Sequence, residues 1–300
     1  MFAVLATTAV LGGGYWYYKN SSRAAGRSLA DDEVKAAKAS ATGNIRKALD
    51  PSKFIDFKLK EVKPLTHDTS LFRFELEPDQ RLGLDVASCV LTRTPQENGK
   101  PVIRPYTPTS HESTVSFFDL VIKRGKASSH IHSLKPGDTL AIKGPIPKFT
   151  YKQNFKQEIG MIGGGSGITP MLQLIRAVLE NPEDKTKLSL LFANRSEDDV
   201  ILKDELDELA ARHPDRFQVH YTIDKAKRQE WKGDVGFVTT EMIKKYMPDS
   251  SKGEDVLVCV CGPPGMMNLL SGPKAPDYSQ GELTGLLKQL GYTEKNVFKY

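Results

Sequence analysis

Arg104, Pro105, Tyr106, Thr107, Pro108, Thr109 and Ser110 set a cation, a phenol and several hydroxyls in a run stiffened by two prolines. Each proline fixes φ near about −65° and pushes the residue before it into an extended conformation, so the polar side chains alternate on a stiff backbone. Such a run can grip a ligand, or it can be an edge strand closed by a Pro-bounded turn. Downstream, Gly125, Lys126, Ala127 and Ser128 precede a short helix predicted over 129–134. First-turn amides lack internal partners and the helix dipole favours negative charge, so this turn suits an anion; a plain N-cap is the simpler alternative. Arg104 can complete an anion site there, because a guanidinium holds phosphate through two parallel N–H groups.

Two further stretches carry glycine. Residues 163–170 (GGGSGITP) give a backbone that can approach a pyrophosphate closely, with a helix N-terminus behind it, although the spacing is not G-x-G-x-x-G. Residues 261–266 (CGPPGM) make a tight turn with the Cys261 thiol at its tip, where a small buried apolar residue is the plain alternative. Both follow short apolar runs, and two glycine-bearing strand ends in one sheet make a nucleotide crevice.

The elements that position these residues fall into two grammars. Residues 54–59, 70–76 and 116–123 largely alternate apolar with polar, and 86–92 and 138–143 add two more strands, which points to an antiparallel barrel or sandwich. From 157 onward strands alternate with helices. Strands are predicted at 157–162, 188–193, 217–223 and 255–260. Helices are predicted after 170, around Ile201, Leu206 and Leu209, over 240–247, and near the end on Leu283, Leu286, Leu287 and Leu290. This βα repeat is a doubly wound parallel sheet. The expected organisation is an anchor at 1–19, a tether at 20–52, an antiparallel β-barrel domain at 53–153 and an α/β domain at 154–300.

Composition sets limits. With 39% apolar and 26% charged residues the chain is a folded body, and 42 basic against 37 acidic residues leave a dispersed charge of +5. A nucleic-acid binder would cluster that charge, so none is expected, whereas acidic partners are favoured. The cysteines are Cys89, Cys259 and Cys261, an odd count with two too close in sequence to pair well, hence reduced thiols. His130 and His132 lack a companion cluster, so no metal is expected. Residues 2–18 carry no charge, end in Tyr15, Trp16, Tyr17 and Tyr18, and are followed by Lys19, Arg23 and Arg27. A membrane anchor with its body on the cytosol-like side fits this order; a secretory signal and an interfacial hairpin are the alternatives. Ser28 and the acidic residues after it can start a short spacer helix in the tether.

R-x-Y-T-x-x-S, then G-K-x-S, then G-G-S-G-I-T-P and C-G-P-P, in that order, resemble the ferredoxin-reductase superfamily, and within it the NADH-cytochrome b5 reductase family. The resemblance covers about residues 54–300, and the N-terminal run and the last twenty residues look most like the fungal mitochondrial outer-membrane form. It implies FAD on the first domain and NADH on the second. Arg104 would neutralise the FAD pyrophosphate, with Pro105, Tyr106 and Thr107 along the flavin and Val121 and Lys123 lining it. Gly125, Lys126, Ala127 and Ser128 would bind the other side of the pyrophosphate. Gly164, Gly165, Ser166, Gly167 and Thr169 would receive NADH, Asp224 would hold the adenosine ribose and disfavour NADPH, and Cys261, Gly262, Pro263 and Met266 would flank the nicotinamide. Thr107, Ser166 and Cys261 would then be the residues at the reacting centre.

The family's chemistry passes a hydride from NADH to FAD and then single electrons to cytochrome b5, an acidic partner that Lys123, Arg124, Lys126, Lys143, Lys148 and Lys152 could meet. Several residues depart from the family pattern: Gly163 and Ser166 stand for Ala and Thr, Ala127 for Met, Gly265 for Pro and Tyr300 for Phe. The resemblance also implies a monomer at the mitochondrial outer membrane, its body facing the cytosol or intermembrane space, with the endoplasmic reticulum as the alternative.

Overall fold

The computed structural model describes residues 45–95 and 100–300. The expected anchor and most of the tether lie outside the described residues; among those described, no helix is long and apolar enough to cross a membrane. The last residues of the expected tether do not act as a spacer. β1 (Arg46–Lys47) runs along the first domain, Arg46 donates to Asp79 at 2.7 and 2.9 Å, and Leu49 is buried in that domain's core. The weakly patterned sequence before it carries no signal for this docking, which uses backbone pairing and one leucine.

The period-2 segments form β2 (Ile55–Pro64), β3 (Thr69–Glu75), β4 (Gln80–Arg81), β5 (Ser88–Thr94), β6 (Val102–Tyr106) and β7 (Phe117–Lys123), then α1 (Ser129–Ser133) and β8 (Thr139–Pro147). β1 pairs with β4, and the other six strands make one antiparallel sheet in the order β6-β5-β8-β2-β3-β7. A bulge between Leu59 and Glu61 bends β2, so the sheet curls around Phe57, Leu59, Phe72, Phe74, Phe118 and Ile142. Its two edges, β6 and β7, do not form a ladder. The chain leaving β6 crosses the gap instead: Thr109 N donates to Asp119 O at 2.9 Å, and Asp119 N donates to Ser110 Oγ at 3.2 Å. Proline at 105 is tolerated because β6 is an edge strand, among the described residues paired only with β5.

The second domain contains β9 (Glu158–Gly164), α2 (Ile168–Glu180), β10 (Lys187–Asn194), α3 (Lys203–Arg212), β11 (Phe217–Ile223) and β12 (Asp234–Val235). It continues through α4 (Thr240–Tyr246), β13 (Val256–Cys261), α5 (Pro264–Leu270), α6 (Gly285–Gln289) and β14 (Val297–Lys299). All pairings are parallel, in the order β12-β11-β10-β9-β13-β14. Continuous apolar strands such as β13 read that way because both faces are covered. One core packs α2 and α3 on one face, and the other packs α4, α5 and α6 on the opposite face. The final helix is shorter than its leucine spacing predicts: Gly285 has φ +70° and Gly281 φ +65°, so Leu283 enters the core from irregular chain.

Candidate functional site

β6 and β7 of the barrel face the carboxyl ends of β9, β10, β11 and β13 across a cavity of about 810 Å³. From the barrel, Pro105, Tyr106, Thr107, Val121 and Lys123 line it. From the glycine loop come Gly164, Gly165, Ser166, Gly167 and Thr169. Cys261, Gly262, Pro263 and Met266 close the far side, and Asp224 stands at the end of β11. Residues far apart in sequence therefore meet at one joint, as strand carboxyl ends in an open α/β sheet favour.

The glycines are needed for shape. A Cβ on Gly167 would fall on the Cys261 carbonyl, so the first turn of α2 and the end of β13 are in backbone contact. A Cβ on Gly164 would meet the Met266 sulfur, while Gly165, at φ +52°, faces open space. Thr169 Oγ1 donates to Ser166 O at 3.2 Å and holds the loop in this form. At the tip of β13, where it is partly exposed on the cavity wall, the Cys261 thiol is pushed up to about 11 by desolvation against the pull of Lys274 and Lys148, so it stays protonated at neutral pH. Burial also raises the Tyr106 phenol, opposed by Arg104.

Five expected residues do not line this cavity: Arg104, Gly125, Lys126, Ala127 and Ser128. Arg104 is exposed on the edge strand and donates to the carbonyl of Ile103 at 2.8 Å. The Ser128 hydroxyl is turned inward: it accepts from Gly125 N at 2.9 Å and donates to Lys123 O at 2.7 Å. It shapes the turn, and the amides of Lys126 and Ala127 are those with no partner inside a 3-10 turn. Of the six cations expected to meet a partner, Lys123 and Lys148 line the cavity instead, whereas Arg124, Lys126 and Lys152 are exposed.

Other lining residues carried no signal in the sequence reading. Among the described residues, Asn194, buried at the end of β10, has no partner for either side-chain amide atom, and the buried Tyr300 hydroxyl has none. Both residues stand on the cavity wall, with these polar atoms closed off from solvent. Phe237 is exposed at the rim, an aromatic face open to stacking. Lys123 Nζ reaches Asp68 Oδ2 at 2.9 Å, and His67 lies 3.4 Å from both Asp68 and Asp199, joining barrel to sheet beside the cavity.

The domain family described as Oxidoreductase FAD-binding domain matches residues 56–151, and that described as Oxidoreductase NAD-binding domain matches 161–271. The NADH-cytochrome b5 reductase-like protein of Arabidopsis thaliana is 49% identical over 300 residues, covering 97% of this chain and 88% of that protein. The chain belongs to the NADH-cytochrome b5 reductase family. Within that family, the NADH-cytochrome b5 reductase 2 of Aspergillus terreus is 46% identical over 251 residues, covering 82% of this chain and 78% of the other. The fold agrees with the cytochrome b5 reductase domain of Ulva prolifera nitrate reductase, with a TM-score of 0.72, 34% identity, and coverage of 85% of this chain and all of that one. The barrel of this family member is its FAD-binding domain and the parallel sheet its NAD-binding domain. The cavity geometry fits both groups: an open glycine cradle at Gly165, and the exposed ring of Phe237 at the rim.

Proposed function

We infer that this chain oxidises NADH through bound FAD and delivers the electrons to a cytochrome b5. One observation carries the reading: Thr107 of the barrel opens into the same cavity as Ser166 and Cys261 of the sheet. Bound flavin takes two electrons together from a nicotinamide and releases them singly, the chemistry needed between NADH and a haem protein.

The protein's part is positioning. Tyr106 and Thr107, at the end of β6, would hold the flavin, and Arg104 with the amides of Lys126 and Ala127, outside the cavity lining, would hold its pyrophosphate. The Gly164–Gly167 backbone approaches the nicotinamide nucleotide, and the neutral Cys261 thiol packs beside the nicotinamide without adding charge. Holding two reactants at contact can lower a barrier by about 7–11 kcal/mol, so no general acid or base is required.

Asp224 sets NADH over NADPH, because a 2′-phosphate would meet a like charge there. Asp224→Thr is expected to raise kcat/KM for NADPH by about tenfold or more relative to NADH, the scale of about 1.4 kcal/mol. An unchanged ratio would remove Asp224 from that role. Residues 2–18 anchor the protein in the mitochondrial outer membrane, and the catalytic body works as a monomer on the soluble side. Support for this comes from the uncharged run, its aromatic end and its basic flank. Arg124, Lys126 and Lys152, exposed on or beside the barrel, steer the acidic haem protein to it. Turnover with cytochrome b5 should fall as ionic strength rises; salt-independent turnover contradicts the steering, and absence of haem reduction contradicts the acceptor.

A further inference from the structure

Cofactor choice by Asp224 faces an obstacle in the sequence: Lys225, Lys227 and Arg228 follow it at once, and clustered cations attract a 2′-phosphate. The structure shows where two of them go. The loop after β11 runs beside the loop after β10, with Asp224 N donating to Asn194 O at 3.0 Å and Lys225 N to Arg195 O at 3.3 Å. Past that point Glu197 and Asp198 take over. The Glu197 carboxylate accepts from the backbone N–H of Lys227 at 2.9 Å and of Arg228 at 3.1 Å, pinning the loop. Asp198 receives both side chains, Lys227 Nζ at 3.2 Å and the Arg228 guanidinium at 2.7 Å.

We propose that Glu197 and Asp198 are a second determinant of cofactor choice: they hold Lys227 and Arg228 in contact pairs, so that of the cations around Asp224 only Lys225 and the cavity-lining Arg195 remain to offset its repulsion of a 2′-phosphate. The inference rests on the reading that the adenosine half of NADH lies at Asp224. Geometry gives the two carboxylates distinct roles. Glu197 fixes where the backbone of 227–228 lies, whereas Asp198 sets where the side chains point. Neutralising Asp198 leaves the backbone in place and frees two long, flexible cations within the same loop as Asp224. A phosphate monoester carries nearly two negative charges at neutral pH and would recruit them. Lys227, Arg228 and Asp198 side chains are 60%, 63% and 49% exposed, so solvent and salt screen these pairs and the effect is moderate.

The test uses FAD-loaded protein and two ligands, 5′-ADP and 2′,5′-ADP, with binding measured calorimetrically for wild type, Asp198→Asn and Asp198→Glu. At low ionic strength of about 0.02 M, Asp198→Asn should tighten 2′,5′-ADP by about five- to tenfold and leave 5′-ADP within about twofold, with the gain shrinking at about 0.2 M. Asp198→Glu should behave as wild type. If Asp198→Asn alters both ligands equally, or neither, the inference fails while the nucleotide reading stands. If wild type does not bind 5′-ADP at all, the nucleotide reading fails and takes the inference with it.

Discussion

The two glycine-bearing turns that serve the two cofactors are built on opposite plans. In the barrel turn at 125–128, a side chain does the shaping: the Ser128 hydroxyl bridges Gly125 N and Lys123 O, and Gly125 has an extended φ of −162° that any residue can adopt. In the loop at 163–170 the shaping comes from missing side chains, with Gly167 against the Cys261 carbonyl and Gly165 at positive φ. A glycine in a motif is therefore not evidence of one role. In one turn it is replaceable and the serine is not; in the other Gly165 and Gly167 are essential, Gly163 has room for a methyl, and Ser166 is half-exposed.

Substitutions can break that contrast. The largest effect is expected at Gly167→Ala, because the new methyl meets rigid backbone and must push α2 away from β13. A loss of about 3 kcal/mol or more follows, with NADH binding lost as well, read by thermal melting and calorimetry. Ser128→Ala comes next. It strips the Gly125 amide of its acceptor, which costs about 1–3 kcal/mol, a fall of roughly 2–12 °C in Tm, and speeds FAD release. Gly125→Ala is the control, because its new methyl finds only ordinary contact with Ser128 and should change stability by less than about 0.5 kcal/mol. If Gly125→Ala proved as harmful as Ser128→Ala, the two turns would not differ as described.

The smallest effect concerns the joint that holds the two turns opposite each other. His111, in the segment after β6, lies 2.5 Å from Glu180 at the end of α2, and that hydrogen bond, with the Glu180 charge, raises the imidazole above its usual value against the effect of burial. A His with a raised folded pKa adds stability that is complete below its unfolded value, about 6.5, and fades as pH rises through the folded value. Both side chains are more than a third exposed, so screening limits the contribution to about 0.5 kcal/mol. Melting at a series of pH values should show this loss above the ordinary histidine range in wild type and not in His111→Ala.

Much of this was legible in the chain because periodicity reports which faces are buried. The apolar run of β13 marks a covered parallel sheet, whereas β3 and β7, whose sequences largely alternate, are buried on both faces over 72–74 and 118–122, with Arg73 and Asp119 paired inside. The cavity's glycines and Cys261 were legible because short, constrained turns leave local signatures. Asn194 and Tyr300 were not. A single Asn after an apolar strand has the sequence of an ordinary strand end, and only its unpartnered burial marks it. The bridge of Asp68, His67 and Asp199 joins residues from separate domains, and no local pattern encodes that meeting. Ser128 shows a third case: its place in the turn was legible, but the direction of its hydroxyl depends on the Lys123 carbonyl that the fold brings near.

The joint cavity as the meeting place of NADH and FAD is tested most directly by one anaerobic spectrum. Purified full-length protein should carry flavin absorbance at close to one equivalent, bleach on addition of one equivalent of NADH, and recover when oxidised cytochrome b5 is added. A colourless protein, or a flavin spectrum that NADH leaves unchanged, would contradict the account.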